Sequence, residues 1–165
     1  IDFIEKNSGL PYENALNVYS TYTRAQALAL LDYWKTSSEG VTRVKDKKTT
    51  CLFVTLNKGN NYYSPSTAYH DYSINEELFH WQSQNATAAN TSVGQRYIHH
   101  EEQKENILLF VREQKDDNYG SVPFVFLGKA KYVSHQGDKP MSIVWRLENK
   151  IPAKFLEVTD KLGIG

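Results

Sequence analysis

Between Asn61 and Gln84 the chain reads NYYSPSTAYHDYSINEELFHWQSQ, a run that places aromatic rings, amides, hydroxyls and the Asp71 carboxylate in two short extended segments divided by turn residues. Flat π-faces beside fixed donors and acceptors are what a pocket needs to hold a planar, polar heterocycle such as a nucleobase. The chemistry on offer is recognition rather than bond breaking. For any single strand aromatic, such as Tyr62, Tyr63, Phe79, Trp81 or Trp145, core packing is the commoner role, so the cluster carries the argument. Asp71 also has an ordinary alternative use, capping a turn through Ser73.

Catalytic signatures are missing. There is no GxxxxGK[ST] phosphate loop, GxGxxG, GxSxG or HExxH, and one cysteine excludes a multi-cysteine zinc site. The five histidines are His70, His80, His99, His100 and His135. His70 beside Asp71, or His99 and His100 beside Glu101 and Glu102, are the sets that could bind metal or move protons, but adjacent residues on a strand face opposite sides and do not chelate one ion. Cys51, followed by Leu52, Phe53 and Val54, reads as a small buried hydrophobe instead of a nucleophile. No cofactor, metal or catalytic residue is expected.

The 165 residues fit one domain with a substantial core. Its 19 basic and 19 acidic side chains balance, so any contact with a polyanion must come from a local basic face. Arg43, Lys45, Lys47 and Lys48, with Lys58 nearby, make one such group; Lys129 and Lys131, two apart on a strand, share a face and make another. The first group serves equally well as a solvated edge that discourages strand-to-strand aggregation. No apolar run approaches the roughly 20 residues that cross a bilayer, and no signal-peptide pattern opens the chain, so no membrane partner is expected. With a lone cysteine, this points to a cytoplasmic location. The start at Ile1 and the loose end at Gly163, Ile164 and Gly165 suggest a piece of a longer polypeptide.

The elements that must position the cluster follow from periodicity. Thr23 precedes a run of helix formers from Arg24 to Trp34 and is placed to cap it. Residues 41–47 and 50–56 alternate or are β-branched, and residues 78–82, 107–112, 124–132 and 142–147 also read as strands. Asp116, Asp117, Asn118 and Gly120 form a hairpin connection, Gly128 a strand bend and Gly137 a turn. Residues 92–102 fit helix or strand, and Pro152 opens a terminal helix. Six or more strands with no regular strand-helix alternation predict an α+β, mainly β fold: a curved antiparallel sheet or barrel with flanking helices.

The runs VTLNKGNNYYSPSTAYHDYSINEELFHWQSQ, LLFVRE (108–113), FVFLGKAKYVSHQGDKPMSIVWRL (124–147) and IPAKFL (151–156) resemble the C-terminal domains of modification-dependent, type IV restriction enzymes. In that family the domain follows a phospholipase-D-like nuclease and a helicase. The resemblance implies an SRA-like or PUA-like barrel over residues 21–165, a leader or coupler over 1–20, and double-stranded DNA containing 5-methylcytosine or 5-hydroxymethylcytosine as partner. It also implies base flipping. Two of Tyr63, Tyr69, Tyr72 and Trp81 would then replace the lost stacking, Asp71 would accept from the cytosine N4 amine, and Gln82, Ser83 and Gln84 would complete the edge readout. The basic residues named above would hold the DNA backbone. The leading alternative is a domain that dimerises, or couples nuclease to helicase, without reading a base. A hydrolase acting through His70 and Asp71, and an RNA binder, are weaker options.

Overall fold

The computed structural model describes residues 15–57 and 71–156. The elements there are β1 (Thr21–Tyr22), α1 (Arg24–Leu30), β2 (Val41–Val44), β3 (Thr49–Asn57), β4 (Tyr72–Ser73), β5 (Leu78–Gln82), α2 (Ser92–Ile98), β6 (Asn106–Gln114), β7 (Asp116–Asp117), β8 (Gly120–Ser121), β9 (Phe124–Gln136) and β10 (Ser142–Leu147), and residues 153–156 are helical after Pro152, as expected. The main sheet runs β2-β3-β6-β9-β10-β5-β4, with β1 added to β9 and β7–β8 as a separate hairpin. As expected, the protein is mainly β with flanking helices. Two details differ from the sequence reading. The β3–β6 pair is parallel, from Thr49 opposite Asn106 to Asn57 opposite Gln114. Among the described residues the sheet is also open, with β2 and β4 at its edges.

Alternation along the central strands splits the core in two. Leu52, Val54, Leu56, Ile107, Leu109, Val111, Val125 and Leu127 point to one face, where they meet Phe79, Trp81, Trp145 and Tyr97. Cys51, Phe53, Leu108, Phe110, Phe124 and Phe126 point to the other, which α1 covers with Ala27 and Leu28. Cys51 is fully buried, and burial pushes its thiol pKa up, which suits packing and not nucleophilic attack.

Gly128 switches the alternation on β9. Leu109 pairs with Gly128 but Phe110 with Phe126, so Leu127 is an inserted residue, and Gly128 takes φ +93. The bulge puts Ala130 and Tyr132 on the core face. Without it Lys129 and Lys131 would point inward. A second register shift lies between Val144 and Trp145, and the two irregularities curve the sheet.

Helix α1 is shorter than its composition suggests. Thr23 and Gln26 form a capping box at its start. At its end Tyr33 N donates to Leu28 O and Asp32 N to Ala29 O, a Schellman motif with Asp32 left-handed at φ 60. Trp34 therefore lies outside the helix, 76% exposed, its Nε1 donating to Asp32 Oδ1 at 2.7 Å.

Candidate functional site

A cleft of about 1130 Å³ opens beside the ends of β3, β5 and β6. Asp71, Trp81, Gln82, Ser83 and Gln84 all line it, so five of the eight candidate base-pocket residues converge on one cavity. Tyr63 and Tyr69 lie outside the described residues, as do Lys58, Tyr62 and His70. Tyr72 is not part of the lining. It pairs with His80 across β4–β5 and stacks on that imidazole at 4.7 Å, on the strand face opposite the buried Phe79 and Trp81. Tyr72 and Trp81 therefore cannot sandwich the same base.

Each lining residue is held by a specific partner. Asp71 is buried, and its Oδ1 accepts from Gln82 N at 2.8 Å, which ties the start of β4 to the end of β5. Ser83 is joined to Met141 in both directions, N donating to its carbonyl and Oγ accepting from its amide, each at 2.9 Å. Ser83 Oγ also donates to Gln84 O at 3.0 Å, so this hydroxyl is a strut and not a ready ligand contact. Gln84 is fixed from behind. Its Oε1 accepts from Tyr97 Oη at 2.8 Å and from Thr87 Oγ1 at 3.3 Å, which commits the acceptor end inward and leaves the amide NH₂ as the group to offer. Burial pushes the Tyr97 pKa up to about 12, so the phenol stays protonated and keeps donating to Gln84.

The backing is equally well packed. Tyr97 from α2 stands edge-on to Trp81 at 5.3 Å and to Trp145 at 6.1 Å. Gly94 lets α2 lie directly on the loop that carries this wall: a Cβ there would come 1.9 Å from Ala88 O. Trp81 is 4% exposed, so it is chiefly a core residue with one edge on the cleft.

Among the described residues, the cations at the cleft are not the ones singled out in the sequence. Arg43 makes a bidentate pair with the buried Glu105, Nε to Oε2 at 3.1 Å and Nη2 to Oε1 at 2.9 Å, so its guanidinium serves the fold. Lys45 and Lys47 sit on an exposed 3₁₀ turn, and Lys48 Nζ donates to Gln103 O at 3.3 Å. Lys129 and Lys131 do share a face, where they line a smaller cleft of about 340 Å³ with His100 and Glu105; Lys131 pairs with Glu101 at 3.7 Å. Arg24, Arg112 and Lys115 border the large cleft, together with Phe53, Thr55, Glu39 and Asp116. In the sequence Arg112 is a cation closing the apolar run Leu108–Val111, which by itself does not mark a site.

His100 is structural. Tyr132 N donates to Nε2 at 3.1 Å, so Nδ1 carries the hydrogen and donates to Glu105 O at 3.0 Å. This arrangement fixes a neutral tautomer, and burial lowers the pKa below 6.5, outweighing the opposing pull of the Glu105 carbonyl, Glu101 and Glu105. A depressed histidine binds protons more readily unfolded, so its contribution is complete well above the unfolded pKa near 6.5 and is lost as pH falls through that value toward the folded one. Urea unfolding from pH 8 to 5 should show stability declining below about pH 6.5, with a shallower decline in His100→Gln. Equal slopes in the two proteins would remove His100 as the cause.

The family described as a domain of unknown function, DUF3427, matches residues 16–158. No curated protein matches the sequence. Among solved structures, KRYPTONITE in complex with mCHG DNA and SAH superposes with a TM-score of 0.50 at 9% identity, covering 83% of this chain and 33% of that one. Arabidopsis thaliana SUVH6 in complex with SAM gives a TM-score of 0.48 at 11% identity, covering 97% and 33%. The chain thus spans about a third of the structures it matches. The likeness to KRYPTONITE shows a shared fold, in line with the SRA-like architecture that the resemblance implied.

Proposed function

Given that the chain belongs to the DUF3427 family over residues 16–158, we propose that it is a non-catalytic reader of modified cytosine in double-stranded DNA. The observation that carries this reading is the cleft itself, which gathers Asp71, Gln82 and Gln84 beside Trp81 on a fold shared with a protein crystallised with mCHG DNA. Asp71 accepts from the cytosine N4 amine, and the Gln84 amide, oriented by Tyr97, donates to an acceptor on the same base. A base can be inspected on its edges in this way only after it leaves the stack, so the reading includes base flipping. Its biological setting is the cytoplasm, as the target-recognition part of a type IV restriction enzyme with nuclease and helicase modules in the same polypeptide. On this reading SauUSI is a named enzyme of that kind.

The test is a fluorescence titration at fixed low salt against matched duplexes carrying cytosine, 5-methylcytosine or 5-hydroxymethylcytosine. Burying one methyl group contributes about 0.8 kcal/mol, so a preference of a few-fold for the methylated duplex is expected from the pocket alone. Asp71→Asn keeps an oxygen for the Gln82 amide but presents a donor to N4, and should cost about 1–3 kcal/mol of binding per folded molecule. Equal affinity for all three duplexes would reject the reader. That outcome would favour the coupling role, with exposed Trp34 as a docking residue for a neighbouring module or a second copy, which sedimentation would reveal.

A further inference from the structure

Two arginines from distant parts of the chain meet on one aromatic platform. Arg24 opens α1 and Arg112 lies on β6, yet their guanidinium carbons stand 5.3 and 4.2 Å from the centroid of the same Phe124 ring, and Arg24 is also 5.2 Å from Phe53. Arg112 is anchored: Nε donates to Thr55 Oγ1 at 2.9 Å and Nη1 to Val122 O at 3.0 Å. Arg24 is not, since its Nε is buried with no hydrogen-bond partner among the described residues. Neither arginine takes part in an ion pair among the described residues. Asp116 lies close enough to act on Arg112, and Glu39 is on the same cleft wall.

Stacking alone does not explain this arrangement. One guanidinium over an aromatic face is favourable, but a second brings like charges together in a place partly withdrawn from water. Both arginines have lowered pKa values, Arg24 through burial and Arg112 through burial followed by the charge of Arg24. A buried N–H without an acceptor adds to the cost. An anion beside the two guanidiniums would offset the repulsion between them. Phosphate suits best, because guanidinium forks match its tetrahedral oxygens in bidentate fashion.

We infer that Arg24 and Arg112 form a phosphate seat on the wall of the cleft, holding the phosphate ester of the nucleotide whose base reaches Asp71. The inference rests on the proposed function and assigns a further part of the same site. The cleft becomes bipolar: a carboxylate receives the amine of the base, and paired guanidiniums receive the charge of the backbone. Thr55, by fixing Arg112, sets where the phosphate lies.

The test changes the ligand as well as the protein. A modified duplex with a neutral methylphosphonate at either phosphate flanking the 5-methylcytosine is compared with the all-phosphate duplex, against the parent chain and Arg24→Gln. At one of the two positions neutralisation should weaken the parent about tenfold and the variant no more than about twofold, because the lost partner is the same. The salt dependence of Arg24→Gln should be shallower by about one ion. Equal losses in parent and variant, or no loss at either position, overturn the seat. A second arm uses 5-methyldeoxycytidine monophosphate and its nucleoside, followed by the shift in melting temperature. Stabilisation by the monophosphate alone, abolished in Arg24→Gln, shows that a free nucleotide fills the same seat; no difference between the two ligands shows that the seat needs the polymer. Sensitivity to Arg24 and to the neutral linkage without any preference for modified cytosine would retain the seat and reject the base reading.

Discussion

The Glu105→Ala variant should lose about 3 kcal/mol or more of folding stability, within the range seen when one partner of a buried charge pair is removed. The Glu105 side chain is 2% exposed and serves three elements at once. Its Oε2 accepts from Thr50 Oγ1 on β3 at 2.7 Å, both oxygens receive Arg43 from β2, and Arg96 from α2 approaches to 3.9 Å. Alanine leaves a buried hydroxyl without its acceptor and two cations without their counter-ion. The two cations do not suffer equally. Arg43 is 33% exposed and recovers part of its solvation, which holds the expected loss toward the lower end of the range. Arg96 is 14% exposed, and its buried Nε already lacks a hydrogen-bond partner, so it has less recourse to water. Glu105→Gln keeps an acceptor for Thr50 and should lose less. Urea denaturation of the three proteins at pH 7 measures the difference, and a loss under about 1 kcal/mol in Glu105→Ala would show that the network is stabilising only on paper.

This network explains why charge was harder to read from the sequence than shape. Residues 78–82 and 142–147 were legible as strands because period-2 alternation of apolar residues is a local signal, and both runs form β-strands with those bounds. Helix α1 overran its true end in composition because nothing in the run to Trp34 shows that Asp32 turns left-handed. The parallel β3–β6 pair was invisible for a related reason: an apolar strand has the same pattern whichever way its neighbour runs. At the site, Asp71 and Gln82–Gln84 could be found because they lie within one short stretch of chain. Arg24 and Arg112 could not, since only the sheet brings α1 and β6 onto Phe124. Arg43 shows the opposite case: its charge was plain, but the acceptor that occupies it lies 62 residues away.

The largest effect is expected at Trp81, and it separates packing from recognition. Trp81→Ala should cost about 3–5 kcal/mol, the usual range for a large aromatic removed from a core. The indole faces Ile143 across the β5–β10 pair, meets Tyr97 edge-on at 5.3 Å and lies 6.2 Å from Trp145, so its loss opens a void between the sheet and α2. The damage then travels to the cleft by a physical route. Tyr97 loses the ring it packs against, its hydroxyl no longer aims at Gln84 Oε1, and the Gln84 amide loses its orientation. Weak DNA binding by Trp81→Ala would therefore say nothing about base stacking. Trp81→Phe makes the distinction, because it keeps an aromatic ring against Tyr97 while removing the larger indole surface, at an expected cost of about 1–2 kcal/mol. If Trp81 acts through packing, Trp81→Phe will melt earlier than the parent but bind modified duplex with nearly parental affinity per folded molecule. If the indole instead supplies the stacking face, affinity will fall by roughly 1 kcal/mol or more beyond any change in folded fraction. With only 4% of Trp81 exposed, the first result is the one expected.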